Sequence, residues 1–350
     1  MSAAAAPGPL LIDVEGKSLT DDDCRLLADP AVGGAILFTR NYTDRRQLGA
    51  LTAAMRAVRP NLLIVADYEG GRVQRFRDGF TPIPPMRALG RAYLEDPEAA
   101  RAAARELAWL AASELRSAGV DMPLAPVADL DYGVSDVIGS RALAETADAV
   151  ADLAAIYARG LAEAGSAATA KHFPGHGYVA ADSHAELPVD DRPRGELERD
   201  WAPFAALIDQ GIASVMMAHV RFTAVDERPA SLSSRWIDGI LRGELGFDGC
   251  VFCDDLSMGG AAALGDYAQR TRGALAAGCD YLPVCNDREA ALVARRIVAD
   301  GAPDAGRERR AALGDRLDRS RRHAEPDPAE SDPGRLRAAR EIAAQLMSAA

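Results

Sequence analysis

The chain has 350 residues and a formal net charge of −12 at pH 7. Such an acidic chain lacks the basic face that nucleic acids and anionic membranes require, so we expect neither as a partner. No apolar run approaches the roughly 20 residues of a membrane span, and residues 1–9 carry no basic signal segment. The five cysteines show no paired CxxC pattern and are typical of buried thiols, so we expect a reducing, cytoplasmic setting.

Strand-like and helix-like runs alternate along most of the chain. Short apolar runs that end in glycine or polar residues predict the strands. The predicted strands are 9–14, 34–38, 62–67, 120–128, 166–170, 213–218, 250–253 and 281–284, and the predicted helices are 21–27, 45–58, 97–118, 146–163, 196–210, 236–243, 266–277 and 287–300. Eight strand–helix units indicate an α/β fold, a (β/α)₈ TIM-type barrel. The alternative is an open doubly wound sheet, but no GxGxxG turn follows the first strand.

The C-terminal part differs from the barrel region in composition. Residues 306–323 are densely charged and compatible with a helix, and 325–333 are rich in Pro, Asp and Glu, as in a linker. Residues 335–347 have the spacing of an amphipathic helix. We therefore expect one catalytic barrel domain over residues 1–300 and a helical extension, 301–350, that packs on its outside.

Polar side chains follow several predicted strands. Asp67 ends the third strand, Lys171 and His172 follow the fifth, His219 follows the sixth, and Asp254 follows the seventh. The carboxyl ends of the strands of a barrel form one face, where catalytic groups converge. These side chains are therefore expected to share one site.

The loop after the fifth strand concentrates histidine, which is otherwise scarce. Two chemistries fit its residues. One is metal-assisted hydrolysis, with His172, His176, His184 and Asp182 as ligands. The other is glycosyl transfer, in which a carboxylate acts as nucleophile and a second group as acid/base. Asp182 could orient His184 and raise its pKa, so that the imidazole donates a proton to a leaving oxygen.

Four stretches together resemble glycoside hydrolase family 3. They are DYEGGRVQR at 67–75, SDVIG at 135–139 with Arg141, the run from KHFPGHG to DSH at 171–184, and FCDDLSM at 252–258. The resemblance covers about residues 10–299, with the motifs in the expected order. Within the family it is strongest to the single-domain bacterial β-N-acetylhexosaminidases of cell-wall recycling.

The resemblance implies a retaining mechanism without metal or cofactor. Asp254 matches the nucleophile, His184 the unusual histidine acid/base, and Asp182 its dyad partner. The positions that match binders of the terminal N-acetylglucosamine are Asp67, Arg75, Arg141, Lys171 and His172. Gly175 and Gly177 would let the loop carry His184 towards the sugar and away again.

The implied substrate is a small carbohydrate, a peptidoglycan fragment of the 1,6-anhydro-muropeptide type. The alternatives are a β-glucosidase of the same family, a metal-dependent hydrolase, or a catalytically silent sugar-binding barrel. Three positions depart from the usual pattern of the branch, namely Tyr68, Cys253 and the pair at 178–179. Three further polar residues are expected to support the site without touching the sugar: Glu69, His219 and Asp255.

Overall fold

The computed structural model describes residues 7–181, 183, 187–262, 264–322 and 332–350, with the backbone alone for 320–322. Residues 325–331 of the expected linker lie outside these ranges. Among the described helices, none combines the length and the apolar content that crossing a bilayer requires.

Short strands and longer helices alternate, as the sequence predicts. The strands are β1 (Leu10–Ile12), β2 (Val32–Leu37), β3 (Leu63–Ala66), β4 (Tyr68–Gly70), β5 (Val73–Gln74), β6 (Met122–Pro123), β7 (Thr169–Phe173), β8 (Val189–Asp190), β9 (Ser214–Met217), β10 (Arg221–Phe222), β11 (Cys250–Cys253) and β12 (Leu282–Val284). The α-helices are α1 (Asp21–Ala28), α2 (Arg45–Val58), α3 (Arg87–Glu95), α4 (Pro97–Ser117), α5 (Ala147–Glu163), α6 (Arg194–Asp209), α7 (Gly259–Ala262), α8 (Tyr267–Ala277), α9 (Arg288–Ala299), α10 (Arg307–Arg322) and α11 (Pro333–Ser348). A π-helix spans Arg235–Glu244, and 3₁₀ turns span Thr39–Asn41, Gly139–Arg141 and Ala230–Leu232.

Two parallel sheets carry the strand ends that the site uses. One has the order β12-β1-β2-β3-β6 and the other β11-β9-β7. Isolated parallel bridges connect Val127 with Lys171 and Phe252 with Tyr281, and so link edges of the two sheets. The predicted α/β class with parallel strands is confirmed. The hairpin β4–β5 and the pair β8–β10 are additions that the strand–helix pattern does not predict.

Two predicted strands, 120–128 and 166–170, differ most from their limits in the structure. The predicted strand 120–128 pairs regularly only at Met122–Pro123, because Pro123 and Pro126 cannot donate to a ladder. Strand β7 continues through Lys171 to Phe173, with a register shift between these two residues. Lys171 and His172 therefore lie inside the last part of a strand, not in the loop after it.

Local sequence accounts for several helix ends and contacts. Thr20 forms a capping box with Asp23 at the start of α1, and Asp266 forms one with Gln269 at the start of α8. Between α4 and α5, Gly160 permits close packing, since a Cβ there would lie 2.3 Å from the carbonyl oxygen of Arg105. The capping boxes fix the starts of α1 and α8, and the contact at Gly160 brings α4 and α5 close together.

The C-terminal helix α11 packs on α4. Its buried face consists of small and aliphatic residues, Leu336, Ala339 and Ala343. At its start, the Arg335 guanidinium donates to Glu106 at 2.7 Å and lies 4.3 Å from the centre of the Trp109 ring. Apolar burial and charge pairing thus act on the same contact.

Enlarging the buried face of α11 tests this packing. Ala339 is fully buried, whereas its neighbour Ala338 is exposed. Ala339→Leu is expected to lower the free energy of unfolding by about 1–3 kcal/mol, because the added methylenes have no space. Ala338→Leu, the matched control, is expected to change it by less than about 0.5 kcal/mol in urea unfolding. Equal effects of the two substitutions would contradict the observed helix orientation.

Candidate active site

The carboxyl ends of the parallel strands open into a cavity of about 900 Å³. Six of the eight predicted site residues line it: Asp67, Arg75, Arg141, Lys171, His172 and Asp254. The other two, Asp182 and His184, lie outside the described residues. Convergence at one face follows from strand direction, because each of these residues lies in the last part of its strand or beyond it.

The ammonium group of Lys171 lies between two carboxylates. Its Nζ is 3.1 Å from Asp67 Oδ1 and 2.5 Å from Glu69 Oε1. The Lys171 side chain is only 2% exposed. A buried ammonium requires such partners, because leaving water costs several kcal/mol per ion.

Two arginines complete the charge network. Arg141 donates through Nε and Nη2 to both oxygens of Glu69, at 2.7 and 2.8 Å, and Arg75 donates to Asp67 at 2.8 Å. This two-pronged contact is the geometry that makes guanidinium–carboxylate pairs strong. Three cations and two carboxylates therefore form one connected group on the cavity wall.

The cations keep both carboxylates ionised. Burial alone would raise the pKa of Asp67, but Lys171 and Arg75 hold it far below its usual range. Burial acts the same way on Glu69, and Arg141 and Lys171 lower its pKa to about 2. Both groups are therefore negatively charged throughout the neutral range.

Asp129 orients His172. The carboxylate is fully buried, and its Oδ2 is 2.7 Å from His172 Nδ1. Burial tends to raise the pKa of Asp129, but His172 lowers it overall. Because an ionised Asp129 accepts a hydrogen bond from Nδ1–H, the opposite nitrogen Nε2 of the neutral ring is an acceptor, and it faces the Arg141 guanidinium at 3.4 Å.

His176 contacts the residue between Asp182 and His184 in sequence. Its Nε2 is 2.8 Å from the hydroxyl of Ser183. Burial and the neighbouring His172 lower the pKa of His176 to about 4, so that its ring is neutral near pH 7. The backbone N–H of His176 donates to Asp129 at 2.8 Å.

Asp254 follows β11 and is half-buried in the cavity wall. Its Oδ1 accepts the backbone N–H of Asp255 at 2.9 Å. Asp255 in turn accepts the N–H and hydroxyl of Ser257, and burial raises its pKa to about 6. His219 uses Nδ1 with Ser231 and Nε2 with the Asp255 carbonyl, so it supports the turn that carries Asp254.

The glycines of the histidine loop have a packing function. A Cβ on Gly177 would lie 1.8 Å from the carbonyl oxygen of Leu130. Gly175 has φ +145°, and a Cβ there would lie 2.8 Å from Cβ of Asp200. Close contact with neighbouring backbone and side chains thus accounts for both glycines, and the expected loop movement stays a prediction.

The three departures from the family pattern lie away from the cavity lining. Tyr68 is fully buried and accepts a hydrogen bond from Gln74 at 2.8 Å. Cys253 is also fully buried. The Tyr178 ring is 3.8 Å from the Arg192 guanidinium, on the protein surface.

Three of the four ring nitrogens of His172 and His176, two residues proposed as metal ligands, have other partners, and His176 Nδ1 is buried without one. His172 Nδ1 contacts Asp129, its Nε2 faces a guanidinium, and His176 Nε2 contacts Ser183. Within the described part of the chain, no three His, Cys, Asp or Glu side chains group as metal ligands. A metal cation at His172 would be repelled by the Arg141 guanidinium, which argues against His172 as a metal ligand.

Two residues contribute more to this site than the sequence predicts. Glu69 was expected only to support it, but its carboxylate joins Lys171 to Arg141. Asp129 is not among the predicted site residues, although it holds His172. The rule that selected Asp67 and Asp254 could have selected Asp129, since it too follows a predicted strand directly.

Comparison with known proteins now places the chain in a family. Residues 10–319 match the model of the glycosyl hydrolase family 3 N-terminal domain. The chain belongs to glycosyl hydrolase family 3. It is 54% identical to a β-hexosaminidase of Thiobacillus denitrificans over 286 residues, which is 81% of this chain and 80% of that protein. Family 3 domains of this type have a TIM-barrel-like α/β fold.

Solved structures agree with this assignment. NagZ from Neisseria gonorrhoeae in complex with N-trifluoroacetyl-D-glucosamine is 39% identical, with a TM-score of 0.88 over 98% of this chain and 99% of that one. The same protein in complex with a zinc ion is 38% identical, with a TM-score of 0.87 over 98% and 99% of the two chains.

Removing one charge tests the network of this family 3 site. Glu69→Gln leaves Lys171 and Arg141 short of a buried anion, and we expect a loss of about 3–5 kcal/mol in unfolding free energy at pH 7. This loss should shrink as the pH falls from the ordinary glutamate pKa of 4.5 towards about 2. In that range Glu69 takes up a proton in the unfolded state of the wild type but not in its folded state, so the stabilisation by the ionised carboxylate disappears.

The matched control is Glu98→Gln, since Glu98 is 86% exposed in its ion pair with Arg101. It should change the free energy of unfolding by less than about 0.5 kcal/mol. A loss for Glu69→Gln that equals the control, or that does not change with pH, would contradict the account.

Proposed function

We propose that this enzyme is a retaining exo-glycosidase that hydrolyses terminal β-linked N-acetylglucosamine. The observation that carries the proposal is the convergence of Asp254 and the paired-charge network on one cavity. The N-acylglucosamine bound by the NagZ relative supports a small carbohydrate as substrate. A family 3 assignment supports hydrolysis of a glycosidic bond.

The cavity wall suits a neutral sugar. Lys171, Arg75 and Arg141 are each paired with a carboxylate, so a substrate need not bring charge to satisfy them. Their remaining N–H groups can donate to hydroxyl and acetamide oxygens, and Asp67 can accept from a hydroxyl. His172 presents its acceptor nitrogen beside Arg141. Charge-assisted hydrogen bonds of this kind bind and orient the ring.

In the proposed reaction, the Asp254 carboxylate attacks the anomeric carbon and forms a covalent glycosyl-enzyme intermediate. His184, oriented by Asp182, protonates the departing oxygen and later removes a proton from the attacking water. The backbone N–H of Asp255 donates to Asp254 Oδ1 and helps to orient this carboxylate. These roles for Asp182 and His184 come from the family resemblance, and the scheme uses no metal or cofactor.

We further infer that the natural substrates are peptidoglycan fragments, 1,6-anhydro-muropeptides, and that the enzyme acts in the cytoplasm. The motif resemblance implies this substrate class, and the N-acylglucosamine bound by the NagZ relative matches its terminal sugar. The net charge of −12 supports a small-molecule substrate over nucleic acid or a membrane.

The two parallel sheets are proposed to form one closed (β/α)₈ barrel within a catalytic domain over residues 1–300. The bridges Val127–Lys171 and Phe252–Tyr281 support closure, because each links an edge of one sheet to the other. Residues 301–350 are proposed to be an extension packed on this barrel, which the contact of α11 with α4 supports.

Parallel assays of two aryl glycosides test the proposed activity. With a chelator present, the enzyme should release the phenol from an aryl β-N-acetylglucosaminide and not from the matching β-glucoside. Asp254→Ala should lower the rate at least about 10⁴-fold, because it removes the nucleophile. Purified N-acetylglucosaminyl-anhydromuramyl peptide should release N-acetylglucosamine in the same buffer.

Each alternative has its own outcome. Preference for the glucoside would identify a β-glucosidase, and loss of activity with the chelator would identify a metal-dependent hydrolase. Sugar binding without turnover would identify a silent binding barrel. Turnover of the aryl substrate without turnover of the muropeptide would overturn the natural substrate alone.

A further inference from the structure

Ser183 forms two hydrogen bonds, one through its side chain and one through its backbone. It stands directly between Asp182 and His184, the proposed acid/base dyad. Its side chain is 1% exposed, and its hydroxyl is 2.8 Å from His176 Nε2. Its carbonyl oxygen accepts the backbone N–H of Gly260 at 2.8 Å.

Both partners of Ser183 belong to fixed parts of the site. His176 is 1% exposed, and its backbone donates to Asp129, the carboxylate that also orients His172. The backbone of His176 is therefore tied to the sugar-binding wall, and its buried ring extends from that fixed point to Ser183.

Gly260 belongs to α7, which follows the turn that carries Asp254. Within that turn, Met258 N–H donates to the Asp255 carbonyl at 3.0 Å, and Leu256 N–H donates to Pro283 at 3.0 Å. Ser183 thus connects the histidine loop to the nucleophile's own turn.

We propose that His176 and Ser183 are positioning residues for the acid/base step. Their hydrogen bond, together with that from Gly260, fixes Ser183, which stands between the two dyad residues in sequence, relative to the turn that carries Asp254. Retaining glycosidases that use two carboxyl groups hold them about 5–5.5 Å apart, so the spacing of the two catalytic groups is narrowly defined, and small misplacements reduce proton transfer strongly. The inference rests on the proposed function, since it assigns no reaction of its own.

Substrates with different leaving groups distinguish a positioning function of Ser183 from a contribution to folding stability alone. The acid is needed most when the departing oxygen is strongly basic. A misplaced acid therefore slows cleavage of substrates with poor leaving groups more than cleavage of substrates with good ones. Ser183→Ala should lower kcat/KM for a phenyl β-N-acetylglucosaminide about 10-fold or more. For the 2,4-dinitrophenyl glycoside the loss should stay below about 3-fold.

Azide gives a second readout. It attacks the anomeric carbon of the glycosyl-enzyme and displaces the Asp254 carboxylate without needing a base. It should therefore accelerate turnover of the dinitrophenyl substrate by Ser183→Ala and not by the wild type. The product should be the β-glycosyl azide, with retention of configuration.

Two histidine variants and one serine control complete the test. His176→Ala should reproduce the leaving-group dependence of Ser183→Ala. His176→Gln, whose amide can occupy the place of Nε2, should stay within about 3-fold of the wild type. The control is Ser166→Ala, because Ser166 is equally buried and donates to the Asp121 carbonyl at 3.0 Å, away from the cavity.

The outcomes distinguish a failure of this inference from a failure of the proposed function. Ser166→Ala should lower thermal stability and leave the ratio of the two kcat/KM values unchanged. Equal losses for both substrates in Ser183→Ala, without azide acceleration, would overturn the inference while leaving the proposed function intact. If the wild type hydrolysed no β-N-acetylglucosaminide, the proposed function itself would fail.

Discussion

The burial of one ammonium group constrains the whole site. Lys171 is almost inaccessible to solvent, and a charge in that position is tolerated only with anions in direct contact. Asp67 and Glu69 provide them, but Glu69 is buried too and needs Arg141, while Asp67 also binds Arg75. Three separate segments of the chain are therefore fixed relative to one another by the same set of charges.

This arrangement explains how an acidic protein can present a dense cluster of cations to a neutral ligand. Because each cation already has a carboxylate partner, the site does not depend on an anionic substrate for its electrostatic balance. The donors are oriented before the sugar arrives, which lowers the entropy lost on binding. Asp254 belongs to a different strand and is held by its own turn, to which Ser183 connects the histidine loop.

Much of this organisation is predictable from the sequence, because strand–helix alternation and polar residues at strand ends obey simple periodic rules. Asp67, Lys171 and Asp254 illustrate that success, since all three line one cavity. Pairing details are less predictable: Pro123 and Pro126 shorten one expected strand, and β7 extends past Lys171. Partners distant in sequence, such as Asp129 with His172, depend on tertiary packing that no local pattern encodes.

The central claim is that Asp254 becomes covalently attached to the sugar. The most direct measurement is mass spectrometry after reaction with a 5-fluoro-N-acetylglucosaminyl fluoride, which slows hydrolysis of the intermediate. The account predicts one added sugar on the peptide that contains Asp254, with labelling retained in Asp255→Asn and lost in Asp254→Asn. A label on another residue, or steady turnover by Asp254→Asn, would contradict it.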